Sequence, residues 1–252
     1  MAVISPLLCA LFGVILGGFL YRASYALPRG EYREILSPKC PYCGRALPLK
    51  YCIPLVGPIL LSFRCPHCGE RQGVRTLISE VLFATVTVLL YVVYSFSYLF
   101  FVYGTLAAIL LVLSLIDLDI REVPHSLLLA VLVLGVLSFV FSFFSFSRTG
   151  TVWWEHIVGA FVISLPLFLL MIFTGGVGGG DIKLLFCLGL LLAYKLLLVA
   201  FFFGILLAAI VSLILRLAFG KGAKYQLPLV PFLSLGAMIA LFVGERLIAA
   251  LF

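Results

Sequence analysis

Residues 98–124 read YLFFVYGTLAAILLVLSLIDLDIREVP. From Tyr98 to Ile116 no charged residue occurs; then two aspartates, an arginine, a glutamate and a proline follow within a few positions. A helix rises about 1.5 Å per residue, so this uncharged run is about 28 Å long, close to the ~30 Å hydrocarbon core of a bilayer. The stretch reads as a membrane-crossing helix with acids at its interfacial end. Runs of the same kind recur along the chain. Spans are expected at about 3–21, 77–95, 98–116, 126–145, 154–173, 182–194, 196–217 and 229–250. The fold class is therefore all-α: a polytopic membrane helical bundle of about eight spans.

Composition agrees. The 252 residues are 64% hydrophobic and 11% charged, against about 25% charged in a soluble domain. Alternating ten-residue strands do not recur, which argues against an outer-membrane barrel. The net charge of +7 reads as topology rather than nucleic-acid binding, because Lys and Arg collect on the cytoplasmic side. Residues 2–21 are apolar and Arg22 follows the run instead of preceding it. That order suits an uncleaved first span with its N-terminus outside.

The one sizeable polar region, 26–76, is rich in basic residues and turn formers, so it is expected to be cytoplasmic. Threading the eight spans from there places Arg22, Arg29, Arg33, Lys39, Arg45, Lys50, Arg64, Arg71, Arg75, Arg121, Lys183, Arg216, Lys221 and Lys224 inside. Only Arg148, Lys195 and Arg246 fall outside. The same threading puts IDLDIREVP (116–124) and TGGVGGGD (174–181) on the inner face.

Within the polar region, Cys40-Pro-Tyr-Cys43 and Cys65-Pro-His-Cys68 form two C-x-x-C pairs separated by 21 residues. Each pair is a tight turn offering two thiolates, and two turns complete a tetrahedral S₄ site suited to Zn²⁺. A reducing cytoplasmic compartment disfavours disulfides. Four thiolates leave no open coordination position, so the zinc is expected to be structural, stapling a loop poor in large apolar side chains. His67 reads as solvent-facing, Cys9 and Cys187 as small core hydrophobes, and Cys52 as a free thiol.

Ionisable groups at membrane depth are costly and usually functional or paired. Asp117, Asp119 and Asp181 fall at the inner ends of spans. Aspartates at i and i+2 point apart on a helix, so only one of Asp117 and Asp119 is expected to face inward. Asp181 reads in its plainest form as an N-cap before a helix starting at Ile182. A cap does not need Gly175, Gly176, Gly178, Gly179 and Gly180 ahead of it, however. A glycine run lets the backbone be approached closely by an extended peptide. One aspartate from the third span and one from the sixth can meet across a bundle, share a proton, and activate water against an amide carbonyl. Paired intramembrane acids suit proton relays equally, so a transporter or channel is the alternative reading. Glu80 and His125 are further candidates to line the site, and Lys183 to tune Asp181, although each reads first as an interfacial residue.

GGVGGGDIKLLFCLG resembles the glycine–aspartate signature of prepilin peptidases (type IV leader peptidases), and IDLDIREVPHSL is similar to their first aspartate motif. The cysteine doublet, GGFL…LP at the end of span one, and IPLVG (53–57) match in order and spacing. The resemblance covers about 16–232. It implies a membrane aspartic endopeptidase with Asp117 and Asp181 catalytic and Gly178, Gly179 and Gly180 as substrate-site backbone. The organisation would be a first span (1–25), a cytoplasmic zinc-binding domain (26–76) and a transmembrane peptidase domain (77–252). The implied setting is the inner membrane, with zinc domain and active site cytoplasmic. The implied substrates are type IV prepilins or type II secretion pseudopilins, cut after a glycine to release a basic leader, with the bilayer as the other partner and no nucleic acid. Many members also N-methylate the product with S-adenosylmethionine. The pattern departs from the family at Tyr21, Tyr25-Ala26, Tyr51-Cys52, His125 and Val230, and those departures bear on methylation rather than on cleavage.

Overall fold

The computed structural model describes residues 4–30, 40, 43–46, 53–60, 64–70, 74–144, 152–175, 178–219 and 227–251. Arg33, Lys39, Lys50, Tyr51, Cys52, Arg71, Arg148, Gly176, Lys221 and Lys224, used in the readings above, lie outside them. Among the described residues the regular elements are helices: α1 (Ile4–Arg29), α2 (Val56–Leu60), α3 (Val74–Tyr94), α4 (Tyr98–Ile120), α5 (His125–Phe144), α6 (Trp153–Val162), α7 (Ser164–Thr174), α8 (Gly179–Phe219) and α9 (Val230–Leu251). Among the described residues seven stretches are long and apolar enough to cross a membrane, α6 and α7 counting as one. Their outward residues are large and apolar, for example Phe144, Phe173 and Leu217, as lipid contact requires.

The chain divides into two compact units, 1–116 and 117–252, with the boundary near the end of α4. In the first unit α1 and α3 run antiparallel. Tyr91 donates to Ser5 Oγ at 2.6 Å near one end, and Ser79 donates to the Gly17 carbonyl at 3.3 Å towards the other. A Cβ on Gly17 would sit 2.7 Å from the Glu80 Cα, so glycine sets how closely these helices approach, as small residues do where lipid offers no hydrophobic driving force. α1 continues to Arg29, eight residues past its expected end at 21. Gly30, at φ 70°, terminates it.

In the second unit α8 packs against α5, α6 and α9. Gly159 of α6 and Gly189 of α8 meet backbone to backbone, with no room for a Cβ on either. α6 and α7 part at Ile163 because Pro166 has no N–H to give the Val162 carbonyl. α8 spans 41 residues but breaks at Ala193, where φ is 61° and ψ is 170°. That conformation is close to glycine-only, and the break falls between the expected spans 182–194 and 196–217. His156, buried on α6, sits beside it: its Nδ1–H donates to the Leu190 carbonyl at 2.8 Å. In an unbroken helix that carbonyl would accept from Tyr194, one residue beyond the break. Glu155, also buried, pairs with Lys195 at 2.9 Å.

Candidate active site and metal centre

Asp117 lies in the last turn of α4 with 5% of its surface exposed, whereas Asp119 is exposed. The expectation that only one of the two faces inward thus resolves in favour of Asp117. Its Oδ2 accepts the Val230 N–H at 3.1 Å. Val230 opens α9, so this N–H is one of the first-turn donors that no helical carbonyl can satisfy. Asp117 caps α9 from a different helix, which holds one of its carboxylate oxygens. Val230 entered the sequence analysis only as a departure. The sign of its role was a free N–H just ahead of Pro231.

Asp181 is not the N-cap that its plainest reading suggested. The helix begins two residues before it: the Gly178 carbonyl accepts from the Asp181 and Ile182 N–H groups at 3.1 and 3.3 Å. Asp181 therefore sits inside the first turn, where the positive end of the helix dipole favours a carboxylate. Two glycines shape its surroundings. A Cβ on Gly178 would lie 2.8 Å from Asp181 Oδ2, and one on Gly180 would lie 2.8 Å from Val123 Cγ2. Gly180 is thus what lets the segment after α4 close down on the start of α8. Gly175 has a separate task, ending α7 in the left-handed conformation with its N–H on Met171 O. The two carboxyls are near enough for the charge of Asp117 to act on Asp181. Lys183 points elsewhere, its Nζ 3.3 Å from His125 Nε2.

Glu80 is buried in the first unit. Its Oε2 accepts the Leu55 N–H at 2.8 Å, and its Oε1 fills the space where Gly18 lacks a side chain. It holds IPLVG in place, with Leu55 at φ 62°. Tyr21 and Tyr25, two of the departures, stack edge to face at 5.2 Å and share a 3.2 Å hydroxyl contact.

The four motif cysteines come together, their sulfurs all within 4.8 Å of one another. The Cys40–Cys68 and Cys43–Cys65 separations are 3.7 and 3.9 Å. Tetrahedral Zn–S bonds of about 2.3 Å put sulfurs ~3.8 Å apart, so the cluster has the size of a zinc cage. Both pairs are built alike. Cys40 N–H donates to Arg45 O and Gly44 N–H to Cys40 O; Cys65 N–H donates to Glu70 O and Gly69 N–H to Cys65 O. Gly44 and Gly69 take φ of 68° and 74°. Burial disfavours ionisation of Cys65, yet N–H groups of Cys68 and His67 directed at its sulfur outweigh that and bring it down to about 7. In Cys68 the Glu70 N–H favours the thiolate, but burial and the three neighbouring sulfurs push it up to about 12. Sulfurs this crowded suit a shared cation. The His67 side chain is exposed; Cys9 and Cys187 are buried singly.

A polytopic helical membrane protein in which the charge of one buried aspartate acts on a second from another helix, and which has a separate tetracysteine centre, has parts that a membrane peptidase would need. Residues 104–213 match the type IV leader peptidase family, and residues 11–94 match the bacterial Peptidase A24 N-terminal domain. A prepilin leader peptidase/N-methyltransferase of Bacillus subtilis is 29% identical over 246 residues, 95% of this chain and 94% of that one. Proteins of the same name from Legionella pneumophila (29%, covering 83% of this chain and 73% of that one) and Pseudomonas aeruginosa (28%, 94% and 90%) are similar. No solved structure matches. The chain belongs to the type IV leader peptidase family and is a multi-pass membrane peptidase.

Proposed function

We propose that this protein cleaves the basic leader from type IV prepilins or type II secretion pseudopilins at the cytoplasmic face of the inner membrane, with Asp117 and Asp181 as the catalytic pair. The observation that carries the reading is that two aspartates from separate helices lie near enough for one charge to act on the other, and one of them is anchored by the Val230 N–H. In the proposed step the ionised carboxyl takes a proton from water as the water attacks the scissile carbonyl. The protonated partner donates to the developing oxyanion, and the proton then passes to the leaving amine. Gly178, Gly179 and Gly180 offer side-chain-free backbone along which an extended substrate can lie.

The charge distribution supports the sidedness: fourteen of the seventeen basic residues fall on one face in the eight-span threading, which is the cytoplasmic signature. The metal at Cys40, Cys43, Cys65 and Cys68 is proposed to be zinc, and its role in 26–76 to be structural, with the peptidase domain occupying 77–252. The name of the relatives, prepilin leader peptidase/N-methyltransferase, supports methylation of the new N-terminus as a second activity, with S-adenosylmethionine as the proposed donor. The test is leader release from a purified prepilin, with and without S-adenosylmethionine. Asp117→Asn and Asp181→Asn should each abolish release while still inserting, and Asp119→Asn should retain it. Cleavage by either of the first two variants defeats the assignment. A methyl mass increment on the product decides the second activity.

A further inference from the structure

The second unit contains a cavity of about 610 Å³ between α5, α6–α7 and α8 that the proposed reaction does not use. Its size falls within the ~300–1,000 Å³ of ordinary ligand pockets. His125, Leu128, Leu129 and Leu132 line it from α5, and Phe161, Ser164, Leu165 and Phe168 from the opposite wall. Both sets follow the i, i+3, i+4, i+7 stripe of one helix face. Two small buried residues, Ser164 and Cys187, contribute to the lining. The wall is otherwise apolar, except at one end, where the Lys183 ammonium and the His125 ring meet 3.3 Å apart.

That end carries cationic character that the active site does not neutralise. At about 100° per residue, Ile182, Lys183, Phe186 and Cys187 point to the side of α8 away from Asp181. The nearest acids in sequence, Glu122 and Asp181, do not line the cavity. With Lys183 donating to His125 Nε2, two ammonium protons and the His125 Nδ1–H remain to be given. α5 begins at His125, so its positive dipole end adds to the same mouth. An apolar slot running into the bundle from a cationic mouth at the interface is complementary to one kind of membrane molecule.

We propose that this groove binds one acidic glycerophospholipid, its phosphate on Lys183 and His125 and an acyl chain along Leu129, Leu132, Leu165 and Phe168. Lys183 and His125 are then lipid ligands, and the lipid buttresses the outer side of the helix that carries Asp181. A zwitterionic lipid fills the slot less well, because its headgroup amine faces the Lys183 ammonium and the positive end of α5.

The test uses the full-length protein, whole, in nanodiscs of phosphatidylcholine with a minor fraction of phosphatidylglycerol. The protein is extracted, washed in detergent, and its retained lipids are quantified by mass spectrometry. Wild type should hold phosphatidylglycerol enriched at least about fivefold over its bulk fraction, near 1 kcal/mol of preference. Lys183→Gln with His125→Gln should return that ratio to the bulk value. Ser164→Leu, which fills the slot and leaves Lys183 and His125 in place, should lower total retained lipid. Phe202→Ala, on an exposed face outside the groove, should behave as wild type. Glycerol 3-phosphate should not displace the bound lipid. A wild-type ratio equal to bulk, enrichment that survives the double substitution, or full displacement by glycerol 3-phosphate would each overturn the proposal. Should the double variant fail to insert, Ser164→Leu alone decides, since unchanged retention there also excludes the slot.

Discussion

Replacing Gly180 with alanine adds a single methyl group and no polarity, yet it should cripple the reaction. The new Cβ would stand 2.8 Å from Val123 Cγ2 and 3.0 Å from Val123 Cβ, where ordinary contact begins near 3.4 Å. The neighbour must therefore yield by about half an ångström, the usual response to overpacking, at a cost of ~1–3 kcal/mol. Val123 cannot yield alone. It lies in the short segment between α4 and α5, and Arg121 in that segment donates its N–H to the Asp117 carbonyl at 3.1 Å. Displacing Val123 drags on the turn that carries Asp117, so the two carboxyls move apart. A misplacement near 1 Å costs on the order of a hundredfold in rate, and half of that displacement should cost about tenfold or more. The assay is single-turnover leader release from a purified prepilin, beside Gly104→Ala, whose added Cβ meets nothing within 4 Å. Gly180→Ala should fall by about 10- to 100-fold in rate, equivalent to roughly 1.4–2.7 kcal/mol, and Gly104→Ala should match wild type. Wild-type turnover by Gly180→Ala would show that the approach of these two segments does not set the site.

Three further outcomes follow from single contacts. Cys40→Ser removes one of four sulfurs, so elemental analysis should fall from one zinc per chain to a small fraction, and segment 64–70 should become protease-sensitive; full zinc content would refute the tetrathiolate site. His156→Ala strips the Leu190 carbonyl of a buried donor, at ~1–3 kcal/mol, and should lower the thermal midpoint by several degrees at about 2–4 °C per kcal/mol, with His156→Asn intermediate; an unchanged midpoint would show that the contact contributes nothing. Glu80→Ala leaves the Leu55 N–H without its acceptor while Glu80→Gln keeps one, so hydrogen exchange across 53–60 should quicken by about tenfold or more only in the alanine variant; equal exchange in both would count against Glu80 as the anchor.

The membrane spans and the cysteine turns were legible because each rests on local rules. A long uncharged run is long enough to cross a bilayer wherever it sits, and C-x-x-C followed by glycine makes its turn from residues adjacent in the chain. The resemblance alone picks Asp117 over Asp119, since helical geometry requires one to face in without saying which. Contacts between residues far apart in sequence were hidden. Val123 against Gly180, the Val230 N–H on Asp117, and Glu80 filling the space left by Gly18 are each made by residue types with no periodic signature. The start of α8 was misplaced for a related reason. Glycine has poor helix propensity, so Gly179 and Gly180 read as loop, while packing against Val123 draws them into the first turn.

The same long-range contacts settle how often α8 crosses. At about 1.5 Å per residue its 41 residues would reach ~60 Å, twice the hydrocarbon core. A straight rod of that length would leave its far end well outside the bilayer with Phe202, Ile205 and Ile210 exposed to water. The acid pair excludes that. Val230 at the start of α9 donates to Asp117, and Asp181 at the start of α8 is near enough to feel the charge of Asp117, so the chain returns, between them, towards the face it left. The return is made at Ala193, where the strained backbone is held by Gly159 packed against the bend and by His156 on the Leu190 carbonyl. Divided at Ala193, α8 supplies two of the stretches read from the sequence where seven are counted among the described residues, and the turn at Ala193 is a condition of the site: without it, α9 could not present its first N–H to the carboxylate it anchors.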